Sequence, residues 1–115
     1  MIPNIVDTCP CCGNKMTIED MQVRVKLLQS EFPDLQINSG YRCESHNKAI
    51  GGGVNSAHLR GLALDIQINN STHQYYLIRT LLTTLGAPRL FLYRKKNIVH
   101  VDWDLSLPYP RFGLI

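Results

Sequence analysis

The sequence predicts an α+β fold, an antiparallel sheet packed against two helices, on three observations. Two segments carry apolar residues at helical spacing, and others alternate apolar and polar residues in the manner of half-buried strands. Between them runs a polar, glycine-bearing stretch, residues 41–61, with no period of either kind. Irregular segments of that length inside a small domain are usually either functional or disordered.

The first helix is read in TIEDMQVRVKLLQSEF, residues 17–32. Thr17 with Asp20 three places on has the form of a capping box, Ile18, Met21, Val25, Leu28 and Phe32 repeat along one face, and Pro33 ends the run. LQIN, residues 35–38, is a short strand that stops at the Ser39-Gly40 turn. LALDIQI, residues 62–68, alternates, so Leu62, Leu64, Ile66 and Ile68 share a face and Asp65 points out of the other. STHQYYLIRTLLTTLG is the second helix, with Ser71 and Gln74 as its cap, Ile78, Leu81, Leu82 and Leu85 as its buried stripe, and Gly86 as its stop. LFLYR and IVHVDW then form a hairpin through residues 95–97. In its second strand Val99, Val101 and Trp103 take one side, and Ile98, His100 and Asp102 the other.

The 115 residues are read as one domain, with a cysteine-containing arm over 1–16 and an extended tail over 104–115. A net charge of +3 is too small and scattered for a nucleic-acid partner, and no apolar run nears the roughly 20 residues of a membrane span. MIPNIVDTCPCCG has no basic region followed by an apolar core, so synthesis in the cytoplasm without a signal peptide is expected. The cysteines are Cys9, Cys11, Cys12 and Cys43, and the CPCC run does not supply two C-x-x-C pairs. Reduced thiols packed under the arm are the favoured state. A disulfide to Cys43 and a small second metal site are the alternatives.

Alternation therefore leaves Asp65 and His100 on non-core strand faces, with His58 in the adjoining loop. Two histidines and one carboxylate form a common catalytic zinc set that leaves a fourth position free, and nitrogen donors favour zinc over magnesium or calcium. Taken singly, a histidine or aspartate is more often structural, Asp65 as a turn cap and His100 as a hydrogen-bonded histidine at a sheet end.

The pattern S-x-H-x-x-G-x-A-x-D, filled by Ser56, His58, Gly61, Ala63 and Asp65, resembles the signature of the zinc D-alanyl-D-alanine carboxypeptidases. That family includes the phage L-alanyl-D-glutamate endolysins and shares its fold with the hedgehog signalling domain. SGYRCESHN, the following IGGG and the late HVD look like the same family in matching order, and CPCCG is similar to its small phage and prophage members. The resemblance implies a hedgehog/DD-peptidase-like fold with His58, Asp65 and His100 as ligands of one catalytic Zn2+. It implies that Arg42 contacts the scissile carbonyl or a substrate carboxylate, where an always-charged donor stabilises a developing oxyanion. Ser56 is read as orienting the loop or binding the peptide terminus, with a turn-stabilising hydroxyl as the alternative.

Several branches of that family place a glutamate shortly before the last histidine, but residues 91–99 contain no acidic residue, and Asn97 stands three places before His100. Asp102 is the expected general base, about 6–7 Å along the strand from His100. A structural role for Asp102, orienting a ligand or pairing with Arg42, is the alternative, and Asp104 lies a step further away. His46 and His73 read as surface or loop-anchoring histidines, and Trp103 as packing. The expected function is zinc-dependent hydrolysis of amide bonds in peptidoglycan stem peptides, as a D,D-carboxypeptidase or an L,D- or D,D-endopeptidase. The chain is expected to be a monomer that acts on the cell wall after release or as a virion component. The alternative is a non-catalytic zinc-containing module of the same fold, for cell-wall binding or structure.

Overall fold

The alternating stretches do form strands, and they pair at the centre of one sheet. A computed structural model describes residues 2–115. The strands are β1 (Ile37–Ser39), β2 (Ala63–Gln67), β3 (Arg89–Tyr93), β4 (Ile98–Asp102) and β5 (Arg111–Leu114), in spatial order β1-β2-β4-β3-β5. All neighbours are antiparallel except β3 and β5, so part of the expected extended tail adds a parallel edge strand.

Period two then sorts the sheet into two faces. Leu64 and Ile66 of β2, Val99 and Val101 of β4, and Leu90 and Leu92 of β3 are buried in one apolar cluster. That cluster is completed by Met21, Val25 and Leu28 of helix α1 (Glu19–Glu31), Leu77 of α3 (Ser71–Arg79) and Leu81 of the π turn Thr80–Thr84 that continues it. Trp103 joins this core and donates its indole N–H to the Leu85 carbonyl at 3.0 Å, as the packing reading expects.

Both helix starts differ from the expected caps. Ile18, not Thr17, precedes α1 and makes no side-chain cap, because the Thr17 hydroxyl donates instead to Asp7 at 3.0 Å. Glu19 and Asp20 still place negative charge on the first turn, where the helix dipole favours it. At α3 the cap is Asn70, whose side chain accepts from the His73 backbone N–H at 2.8 Å. The polar stretch 41–61 is not wholly irregular. It holds the short helix α2 (Glu44–Ala49) and the 3-10 turn Ala57–Arg60, both too brief to declare a period.

The second sheet face carries Asp65, His100 and Asp102, and the register sets their spacing. Asp65 lies directly opposite His100, and Ala63 opposite Asp102. Directly opposed residues of an antiparallel pair have Cβ atoms roughly 4.5–5.5 Å apart. The 3-10 turn closes over this face, and Gly61, at φ +71°, reverses the chain into β2.

Candidate metal centre and active site

His58 reaches the sheet because its turn is tied at both ends. The Ser56 hydroxyl accepts from the His58 backbone N–H at 3.2 Å, and the Arg42 backbone N–H donates to the His58 carbonyl at 3.1 Å. Ser56 is thus the cap of the turn that carries the histidine, as well as part of the cleft wall. His58 is only 2 % exposed, and its Nδ1 lies 2.6 Å from the Gly40 carbonyl. A carbonyl only accepts, so Nδ1 carries the proton and Nε2 keeps its lone pair in the neutral ring.

His100 is held in the mirror arrangement. Its Nε2 lies 2.8 Å from Asp102 Oδ2, which fixes the proton there and leaves Nδ1 facing inward. His58 Nε2 and His100 Nδ1 both point at Asp65 Oδ1, at 3.2 and 2.9 Å. The ligand-capable atoms of the three residues lie within 4.8 Å of one another. Two imidazole lone pairs and a carboxylate oxygen repel unless protons or a cation stand between them. This donor set, with its outer nitrogens already committed, fits a zinc ion.

Without a cation the site compensates through protonation. Burial pulls the His100 ring down, but hydrogen bonds with Asp102 and Asp65 outweigh it and raise the ring above its ordinary value. Burial would raise Asp65, yet its hydrogen bonds with His100 and His58 hold the carboxyl well below the usual carboxylate range.

Arg42 occupies the other side of Asp65. Its Nη2 donates to Asp65 Oδ2 at 3.1 Å, its Nη1 to Asn47 Oδ1 at 2.9 Å, and its Nε to the Ser39 hydroxyl at 2.9 Å. Asp65 therefore gives one oxygen to the histidines and the other to Arg42. Asn47 is buried and donates back to the Gly53 carbonyl at 2.9 Å, so the IGGG segment folds around it. A Cβ on Gly52 would overlap Asn47 Oδ1, which explains the glycine.

Asp102, the residue expected from the sequence to be the base, lies against the ligand-capable histidine of its own strand. It is fully buried on the Nε2 side of His100, away from the inward-facing Nδ1. Its oxygens are also taken by Arg89, whose Nε lies 3.0 Å from Oδ1 and 3.2 Å from Oδ2, and by the Asp104 backbone N–H at 3.2 Å. Sequence spacing along β4 put Asp102 near His100, but the imidazole itself separates it from the cleft. Asp104 is likewise buried, with Arg60 and Ser106 on its carboxylate.

A cleft of about 520 Å³ opens over the three residues. Its wall includes Arg42, His46, Ser56, Tyr93 and Lys96. Asp65 is the one carboxylate in that lining, among the described residues. A second pocket on the far side shares Gly53, Ser56, Tyr93 and His100 with it, so the two form one groove past the site. Asn47, Tyr93 and Arg89 were not evident in the sequence. Asn47 and Arg89 act through partners on other elements, and Tyr93 looks like an ordinary strand end.

Against known families, the Peptidase M15 model matches residues 7–102, from the arm to the last carboxylate of β4. The chain belongs to the Peptidase M15 family. Neither the curated proteins nor the solved structures contain a match. The match spans both histidines and Asp65, and the sheet with its few helices agrees with the hedgehog-like fold of M15. M15 peptidases are zinc-dependent, which agrees with the two-nitrogen, one-oxygen donor set of His58, His100 and Asp65. No helix among the described residues is long and apolar enough to cross a membrane.

Proposed function

We propose that the chain is a zinc endopeptidase that cuts an amide bond within peptidoglycan stem peptides, in cell-wall lysis or remodelling of phage type. The convergence of His58 Nε2, Asp65 Oδ1 and His100 Nδ1 at the floor of the groove carries this reading. These three would hold a zinc ion, which when bound would supply Lewis-acid polarisation of the scissile carbonyl and activation of a water.

The remaining roles follow from what each side chain faces. Arg42, fixed by Asp65, Asn47 and Ser39, is a rigid cation that meets negative charge developing on the carbonyl oxygen. Burial, with Asp65 nearby, pushes the Tyr93 phenol up, so it stays protonated and donates from the same wall. His46 takes the proton from the attacking water and hands it to the amine as the C–N bond breaks, a task for which imidazole is the suited side chain. Asp102 holds the His100 tautomer and does not touch substrate.

Two features favour the substrate. Arg42 and Lys96 line the cleft and complement the carboxylates of stem peptides. The groove continues past His100 into the second pocket, so a peptide extends to both sides of the cut, which favours an endopeptidase. A zinc-containing binding module is the second reading, and the shortage of carboxylates in the cleft favours it.

Mass spectrometry of purified muropeptides incubated with zinc-loaded protein tests the proposal. Cleavage at an internal stem-peptide bond, abolished by a chelator and restored by zinc, is expected. Release of a single terminal residue would make it a carboxypeptidase. Muropeptide binding with no product at any zinc concentration would replace the peptidase with the binding module.

A further inference from the structure

The arm before α1 carries a second cluster that the peptidase chemistry does not use. The Sγ atoms of Cys9, Cys11, Cys12 and Cys43 lie within 4.8 Å of one another. Cys11 Sγ is 3.4 Å from both Cys9 Sγ and Cys43 Sγ, and none of the four is in a disulfide. We propose that these four cysteines bind a structural zinc ion as a tetrathiolate, independent of the His58, Asp65 and His100 centre.

The geometry favours a metal over cross-links. A disulfide draws two sulfurs to about 2.05 Å and leaves the rest apart. Here no pair is singled out, and Cys11 is equidistant from two partners. Tetrahedral zinc with Zn–S bonds of about 2.3 Å spaces its sulfurs about 3.8 Å apart, close to the observed cluster. Four sulfur donors suit zinc or iron, and zinc is the ion the family already uses.

The backbone builds the cluster from two segments. Cys9 and Cys12 form one C-x-x-C pair inside a tight reversal closed by the Thr8–Lys15 bridge. Within it the Cys9 N–H donates to the Asn14 carbonyl at 2.8 Å, and the Gly13 N–H to the Cys9 carbonyl at 2.9 Å. Gly13 sits at φ +75°, which a side chain would strain. Cys11 and Cys43 supply the other pair, which sequence spacing hides because 31 intervening residues separate them.

The site has a structural purpose that the fold makes plain. Residues 40–43 carry the Gly40 carbonyl that orients His58, the Arg42 guanidinium and Cys43. A zinc ion on Cys43 ties this segment to the arm, adding to the hydrogen bond from the Tyr41 N–H to the Val6 carbonyl at 3.0 Å and to the close packing of Gly40 on the Ile5 and Val6 backbone. Zinc entry displaces the four thiol protons to solvent, so binding strengthens as pH rises.

Zinc is counted by elemental analysis on protein purified under reducing conditions, as wild type, His58→Ala, Cys11→Ser and the double variant. The proposal expects two ions, one, one and none. Cobalt substituted into His58→Ala should give the intense thiolate-to-cobalt charge-transfer band and tetrahedral d–d bands of a four-sulfur site. That measurement stands even if Cys11→Ser fails to fold. One ion in wild type and none in His58→Ala, with four free thiols titrating, would overturn the tetrathiolate and leave the peptidase centre intact. Cysteines recovered as disulfides from protein handled without oxidant would overturn it equally. Zinc retained by His58→Ala at the wild-type count, and lost from Cys11→Ser, would support the thiolate site and remove the histidine one.

Discussion

Asp102→Asn separates two roles that a carboxylate beside a ligand histidine can play. The native side chain accepts from His100 Nε2 at 2.8 Å, from Arg89 Nε at 3.0 and 3.2 Å, and from the Asp104 backbone N–H at 3.2 Å. Asparagine keeps the shape but exchanges one acceptor oxygen for an NH2 donor. Arg89 and the Asp104 N–H can only donate, so the amide group is driven toward His100, where it meets a protonated Nε2. The ring then relocates its proton to Nδ1, the nitrogen that faces Asp65, and that lone pair is lost. Loss of such an orienting partner weakens metal binding by about 10- to 100-fold, or about 1.4–2.7 kcal/mol. Zinc affinity is measured by competition with a fluorescent chelator, and turnover is measured across a zinc titration. Weakened zinc binding with turnover recovered at saturating zinc is expected. Wild-type zinc affinity with turnover lost at every zinc concentration would restore Asp102 as the base and refute the positioning role.

Four other outcomes follow from the same geometry. Arg42→Lys removes the fork that holds Asp65, Asn47 and Ser39 together. It should reduce kcat/KM by at least tenfold while circular dichroism stays native. Gly52→Ala drives its Cβ into Asn47 Oδ1 and should lower Tm and activity together, whereas Gly51→Ala, with no atom near its Cβ but φ +78°, should lower Tm alone. His46→Ala should retain full zinc occupancy and lose turnover by roughly 10²- to 10⁴-fold, and unchanged turnover would remove it from proton transfer. The pH dependence of the zinc-free protein is set by opposite shifts. His100 is raised above 6.5, so its contribution is complete below 6.5 and fades as pH rises through the folded value. Asp65 is depressed below 3.8, so its contribution is present above 3.8 and fades as pH falls through the folded value. Thermal melts of chelated protein should therefore show the site's largest stabilisation between pH 3.8 and 6.5, and saturating zinc should shift the best range upward as protons cease to compete.

Strand faces were the most legible part of the fold, because side-chain alternation is a local rule. It put Leu64, Ile66, Val99 and Val101 in the core and turned Asp65 and His100 to the other face. Register is not local, and it is register that sets Asp65 opposite His100 and brings Arg89 from β3 to Asp102. The distance of Asp102 along β4 is readable from the sequence, but its Arg89 partner is not. The caps failed similarly. Thr17 is the right residue type for a cap, yet Asp7 from the arm competes for its hydroxyl. Asn47 gave no signal beyond its place before IGGG, since a buried amide matters only through Arg42 and the Gly53 carbonyl. The cysteines were legible as residues and illegible as a cluster, because Cys43 approaches through the fold of the first helix and strand.

The arrangement around Asp65 explains why the site sits on the two central strands rather than in a loop. Each ligand-capable atom is aimed by a bond made elsewhere: His58 by the Gly40 carbonyl, His100 by Asp102, and Asp65 by Arg42 through its second oxygen. β2 and β4 are immobilised from beneath by fully buried aliphatic side chains, so Asp65 and His100 cannot move apart without disturbing the core. Only His58 rides on a turn, and that turn is tied to Arg42 through the backbone. The three lone-pair-bearing atoms are therefore held together before any ion arrives, and the mutual repulsion built into that arrangement is relieved when a cation enters. On the proposed reading, the same preorganisation makes activity as fragile at Gly40, Arg42 and Asp102, which aim the three ligand-capable side chains, as at those side chains themselves.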